Sequence, residues 1–182
     1  MPGDMIVGAY LPWLEQIPVK NPIISDVFSQ IYIWKSLVAE SYRHFQWPLW
    51  NPYSYSGYPL LANVQSSAFS PTNLFMILLG DNAGWTAMII FGVLGSLVSM
   101  YFLLRILGYR KDASIIGAVV YAFSGYAMVS MQFATVSQAL VWIPWLFILI
   151  EKKKYLHKLP IIIFLIATSG HFQALIYSAI LA

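Results

Sequence analysis

Asp26 is the carboxylate best placed for chemistry. It ends the lead-in Asn21–Ser25 and opens an amphipathic helix. Two roles are open to it. It can act as general base, or hold a divalent metal, for a reaction at a membrane face. It can equally cap the helix, as can Ser25, and gain from the helix dipole. Further along, Asn51, Tyr53, Tyr55, Tyr58, Asn63, Gln65 and Asn73 set uncharged donors and acceptors among aromatic rings. That mixture suits a sugar, whose apolar faces stack on rings while its hydroxyls bond to amides. It also suits an interfacial loop that satisfies its own backbone. His171, between Gly170 and Gln173 in an apolar run, is a candidate site at membrane depth. Its plainer role is an interhelical hydrogen bond.

Several chemistries find no support. The chain has no cysteine, which excludes disulfides, thiol catalysis and Cys-based metal centres. The three histidines are scattered singly and build no strong metal site. There is no phosphate-binding P-loop and no Gly-rich dinucleotide fingerprint. The net charge is only +3, and the basic residues sit in short clusters between apolar runs. Membrane topology explains that pattern; nucleic acid is not expected as a partner.

The elements that would position these residues follow from periodicity. Ile31, Trp34, Val38 and Tyr42 recur at helical spacing, with Lys35, Glu40 and Arg43 off that stripe, which predicts an amphipathic helix over about residues 26–45. Its Trp and Tyr content suits the membrane–water interface. Residues 47–75 hold four prolines and a glycine, which exclude a long helix, and aromatics too numerous for plain disorder. An ordered loop on the membrane surface is expected, followed by a short interfacial piece over Asn73–Leu79.

From residue 85 onward the chain is membrane-like. The sequence is 59% hydrophobic and 9% charged, against about 25% charged in soluble domains. Trp85–Leu104 carries no charge, Ala113–Ile150 carries neither charge nor histidine, and Leu159–Ala182 has His171 as its one side chain that can ionise near neutral pH. A span needs about 20 apolar residues. The expected spans are therefore about 85–104, a hairpin over 113–150 that crosses or dips into the bilayer, and 159–182. The hairpin puts Arg105–Asp112 and Glu151–Lys158 on one side. These segments hold seven of the ten Lys and Arg residues, so that side is cytoplasmic by the positive-inside rule. Residues 1–84 then lie outside, and 159–182 runs outward with His171 midway. Gln132 and Gln138 fall near the outer turn, as residues that satisfy backbone there. Arg105 reads as a topology and snorkelling residue. Gly92, Gly95 and Ser96 make a small face for close helix packing.

The runs KNPIISDVFSQIYIWKSL and WPLWNPYSYSGYPLLANVQSSAFSPTNLF resemble the YfhO family of bacterial membrane proteins. The later IIGAVVYAFSGYAM, ALVWIPWLFILIEKK and SGHFQALIY resemble it too, in the same order, so the likeness covers about residues 3–182. That family is similar to the GT-C glycosyltransferases. The resemblance implies an all-α polytopic membrane protein, GT-C-like, with an outside loop region that contains the interfacial helix. It implies a donor sugar on a polyprenyl phosphate and an envelope polymer or lipid as acceptor, with membrane lipid around the helices. It places Asp26 as the residue that deprotonates or orients the acceptor hydroxyl, and it leaves the cofactor open, a divalent metal included. Asn51, Tyr53, Tyr58, Asn63, Gln65 and His171 are the candidate substrate-binding residues. Members of that family carry a helix ahead of the Asp-bearing loop and many helices beyond the segment matching Gly170–Gln173. This chain therefore reads as an N-terminal fragment. A transporter or flippase subunit, with helices interrupted at Gly125 and Pro144, and a non-catalytic envelope assembly protein are the alternative functions.

Overall fold

The computed structural model describes residues 26–54 and 56–181. Residues Asn21–Ser25, with Ser25 as a cap, and Tyr55 lie outside the described residues.

The chain enters as a helix at Asp26. Its first turn, Val27–Ile31, is π-helical: the Tyr32 N–H donates to the Val27 carbonyl, five residues back. Such wide turns occur often at functional sites. Helix α1 continues over Tyr32–Arg43. Asp26 has helical dihedrals and its carboxylate makes no cap hydrogen bond. The cap role is therefore not realised.

Helix α1 does not lie free on a surface. One side packs under the loop, where Val38 joins Leu60 and Ala68. The next side carries Ala39 into a cluster with Met76, Met88 and Ala134. Its aromatics serve internal packing: Tyr32 meets Trp85 edge-on, Trp34 meets Tyr58, and Tyr42 meets Trp47. Lys35, one turn from both Ile31 and Ala39, is fully buried. Lys35 lies off the apolar stripe yet is buried, because α1 is covered on two sides rather than one.

The aromatic loop is ordered, as its composition implied. It contains a short antiparallel hairpin, β1 (Trp50–Asn51) and β2 (Tyr58–Pro59), in the register Trp50↔Pro59. Gly57 at φ 99° lets the Trp50 indole lie against its backbone, where a Cβ would collide with the ring. Helix α2 (Asn73–Leu79) is too short to span and turns at Gly80 into α3 (Asp81–Ile106). Arg43 binds this corner. Its guanidinium pairs with Asp81 at 2.7 Å and donates to the carbonyls of Met76 and Ile77, and Ser36 also donates to Asp81.

Helix α3 has 26 residues, about 39 Å at 1.5 Å per residue, against a bilayer core of about 30 Å. It is the one described helix that by itself is long and apolar enough to cross a membrane. Its buried face is largely small or polar, with Gly84, Gly92, Ser96 and Ser99 beside Met88 and Leu103, whereas Ile90, Leu94 and Val98 point outward. Only 28% of its most apolar window is buried, unlike the core helix of a soluble domain.

Helices α4 (Lys111–Ala122) and α5 (Gly125–Ser130) follow, with a 3-10 turn over Met131–Phe133. Together they are span-length but bent by 44° at the break, where the Ser124 hydroxyl accepts from the Ala127 N–H. Helix α6 (Val136–Glu151) has Pro144 inside it. Proline has no N–H, so the Leu140 carbonyl loses its helical donor. The Tyr121 hydroxyl of α4 supplies the missing bond at 3.0 Å, a neighbour's repair of the kind membrane helices use.

Residues Gly92, Gly95 and Phe102 of α3 face Ser137, Val141 and Trp145 of α6 in rising order. The two helices run in the same direction. The C-terminal end of α3, with Arg105, therefore sits at the same end as the lysine-rich segment after α6. A 3-10 turn over Lys153–Lys158 leads into α7 (Leu159–Thr168) and then α8 (Phe172–Leu181). The single span expected over 159–182 is corrected: it breaks at Ser169–His171. Gly170 has φ 93°, and α8 folds back so that Ala174 packs with Ala139 of α6.

Candidate functional site

The loop is fastened over the helix ends by a few buried polar contacts. The Ser67 hydroxyl donates to the Ser169 carbonyl at 3.0 Å. The Thr72 and Ser70 hydroxyls donate to Gln138 Oε1 at 2.5 and 3.3 Å. Gln138 is fully buried, so its role is a tie between loop and helix rather than repair of its own turn. Gln132 does bond backbone, donating to the Val129 carbonyl. Arg105 donates to the Tyr109 carbonyl beyond its helix and remains exposed.

Gly170 is where these pieces close. A Cβ there would collide with Ser67 Oγ and lie 2.9 Å from Thr135 Cγ2. The positive φ adds backbone strain for any other residue. Gly170→Ala is expected to lower stability by about 2 kcal/mol. Thermal unfolding in detergent, followed by tryptophan emission, checks this; an unchanged midpoint would show that the loop yields freely.

Beneath the loop lies a cleft of about 380 Å³ with a mixed lining, Ile31, Tyr126, Phe133 and Val136 forming its apolar part. Its polar part comes from Asp26 and Gln30 of the first helix, Gln65 of the loop, Thr135 before α6, and His171 and Gln173 at the α7–α8 break. Asp26 is exposed to solvent there and His171 is half-buried. His171 is thus not midway along a span. The break at Gly170 carries it to the end of the bundle away from the lysine-rich segment. A second cleft of about 570 Å³ adjoins, lined by Ser29, Gln30, Trp34, Ser54 and Tyr58. Gln30 belongs to both.

The candidate residues therefore separate. Asp26, Gln65 and His171 meet in one cleft, and Tyr58 lines the other. Asn51 and Asn63 line neither. Asn51 is buried and its Oδ1 accepts from the Tyr53 N–H at 2.9 Å; Asn63 Oδ1 accepts from the Gln65 N–H at 3.0 Å. Asn73 is likewise spent on the carbonyls of Ser67 and Ala68. These three asparagines shape the loop. Tyr53 projects outward with 76% of its surface exposed and lines neither cleft. Gln30 and Trp34 were not singled out by the chemistry of the sequence alone, although their four-residue steps from Asp26 place all three along one helical side.

Among the described residues, Asp26 and His171 are the one acid and the one histidine in the lining of the first cleft. No group of three His, Cys, Asp or Glu side chains among the described residues could hold a metal. Among the described residues the donor set does not build a metal centre. What the cleft offers is one solvated carboxylate, one imidazole and three amides: a proton acceptor beside hydrogen-bonding groups suited to hydroxyls.

No protein-family model, curated protein or solved structure matches the chain.

Proposed function

We propose that this chain belongs to a multi-pass membrane glycosyltransferase. It transfers a sugar from a polyprenyl-phosphate-linked donor to an envelope polymer or lipid on the outer face. The observation that carries the reading is the meeting of Asp26 and His171, distant in sequence, in one cleft with Gln30, Gln65 and Gln173. In the proposed reaction the acceptor hydroxyl attacks the anomeric carbon and its proton passes to the Asp26 carboxylate. The bond from that carbon to the phosphate oxygen breaks, and its electron pair leaves with the polyprenyl phosphate. The glutamine amides hold sugar hydroxyls, and His171 orients the donor or acceptor by hydrogen bonding. The GT-C-like character rests on the sequence resemblance.

Multi-pass insertion is supported by side-chain direction. Besides α3, helix α4 buries Ser114, Ala118 and Ala122 while exposing Ile116, Val120 and Phe123. Helix α8 buries Ala174 and Ser178 while exposing Phe172 and Ile180. Small residues inward and large apolar residues outward suit lipid rather than water. Residues 1–182 contain no cysteine, so a single cysteine introduced among them reports the topology of its own position. Tyr53→Cys in intact cells is expected to react with an impermeant maleimide, and Lys154→Cys only after permeabilisation. The reverse pattern would overturn the orientation.

Activity is tested with membranes containing the natural protein and a radiolabelled polyprenyl-phosphate sugar. Label is expected to move to an envelope acceptor. Movement of label across the bilayer with no new glycosidic product would instead identify a flippase. Binding without either would identify an assembly protein.

A further inference from the structure

The end of the bundle opposite the Asp26 cleft carries a second kind of cavity. It is about 470 Å³, between the last turns of α6 and the start of α7. Trp145, Ile148, Leu149 and Ile161 form apolar walls, while Tyr155 and Lys158 stand in its lining as the polar members. The surrounding segment holds Lys152, Lys153, Lys154 and Lys158 against one carboxylate, Glu151. None of these lysines lies in ion-pair range of a carboxylate of a described residue. Two of them converge: the amines of Lys154 and Lys158 lie 5.9 and 5.5 Å from the centre of the same Tyr155 ring. Both amines are exposed and unneutralised, so an anionic headgroup entering beside the Tyr155 ring meets two cations at once.

We propose that this cavity binds an anionic phospholipid. The phosphodiester sits between Lys154 and Lys158 beside the Tyr155 hydroxyl, and an acyl chain lies along Trp145 and the isoleucine and leucine walls. A free phosphate would satisfy the lysines but leave the apolar walls uncovered. A neutral lipid would cover the walls but not the charge. Basic pockets between helices on the cytoplasmic side are recurrent sites for such lipids. The inference rests on bilayer insertion, and it is independent of glycosyl transfer.

The test uses the natural protein in phosphatidylcholine vesicles containing a small fraction of brominated phosphatidylglycerol or brominated phosphatidylcholine. Subtracting the signal of Trp145→Phe isolates quenching of Trp145. Brominated phosphatidylglycerol is expected to quench it at least about fivefold more effectively. That preference should vanish in the double variant Lys154→Gln/Lys158→Gln. It should largely persist in Lys152→Gln/Lys153→Gln, which loses the same charge away from the Tyr155 ring. Equal quenching by the two lipids, equal loss in the two double variants, or displacement of the lipid by inorganic phosphate would each overturn the proposal. Absence of quenching at every tryptophan would overturn bilayer insertion itself.

Discussion

Asp26→Asn is expected to lower sugar transfer by about 10²- to 10⁴-fold, the usual range for loss of a general base. The amide keeps the size and shape of the carboxylate and cannot accept the acceptor's proton. The substitution is informative because the structure separates chemistry from stability at this residue. Asp26 is exposed and its side chain makes no cap bond to the helix it opens. Thermal stability should therefore change by less than about 0.5 kcal/mol. Binding of the donor lipid should be nearly unchanged, so the loss falls on turnover. Measuring transfer and donor binding on the same preparations distinguishes the outcomes. Full transfer with Asn at this position would remove Asp26 as the base, and a matching fall in the unfolding midpoint would point to a structural role instead. His171→Gln retains hydrogen bonding and should cost less than Asp26→Asn in the same assay.

The second large effect concerns Lys35. Its side chain is buried: the residue is 0% accessible and its Nζ has no hydrogen-bond partner among the described residues. Burial pushes its pKa down to about 7. The unfolded chain keeps an ordinary lysine pKa of about 10.4. Below about pH 7 both states are protonated, and folding bears the whole cost of burying the ammonium. Between about pH 7 and 10.4 the unfolded chain binds more protons than the folded one, so stability rises with pH through that window and then levels off. Lys35→Met removes the buried charge while keeping a long apolar stem. It is expected to raise stability near pH 6 by about 1–4 kcal/mol, with a smaller gain near pH 9.5. Unfolding midpoints of both proteins at the two pH values check the sign. An equal gain at both, or a loss near pH 6, would show that the amine is paired or solvated in the folded protein.

How much of this was legible from the sequence depends on the range of the interactions involved. The helix that begins at Asp26 follows from a local stripe, and Ile31 and Val38 of that stripe are buried as expected. The ordered aromatic loop follows from its prolines and rings, and the short α2 from its few apolar residues before Gly80. The long α3 follows from an uninterrupted run without charge, though it starts earlier than that run, at Asp81. The common end of the two basic segments follows from the length of the run between them, and the parallel packing of α3 and α6 agrees with it.

The remainder required contacts between distant segments. Lys35 reads as polar in any window, and only the cover supplied by α2, α3 and the turn at Ala134 buries its side of α1. The asparagines of the loop look like sugar ligands by type, yet Asn51 Oδ1, Asn63 Oδ1 and Asn73 Nδ2 are bonded to nearby backbone. Pro144 is visible in sequence, but its repair by Tyr121 depends on α4 lying beside α6.

Local sequence by itself determined the helical character, the apolar stretch of span length and the residue types available for chemistry, because periodicity and hydropathy act within a turn or two. Only the tertiary structure decided which of those residues share a site. The apolar run over 159–182 contains no signal strong enough to stop a helix at Gly170. Ser67, Gln65 and Thr135 crowd its backbone so closely that no side chain fits, and the left-handed conformation there turns the chain. That turn takes His171 from the middle of an expected span to the lining of the cleft that Asp26 also lines.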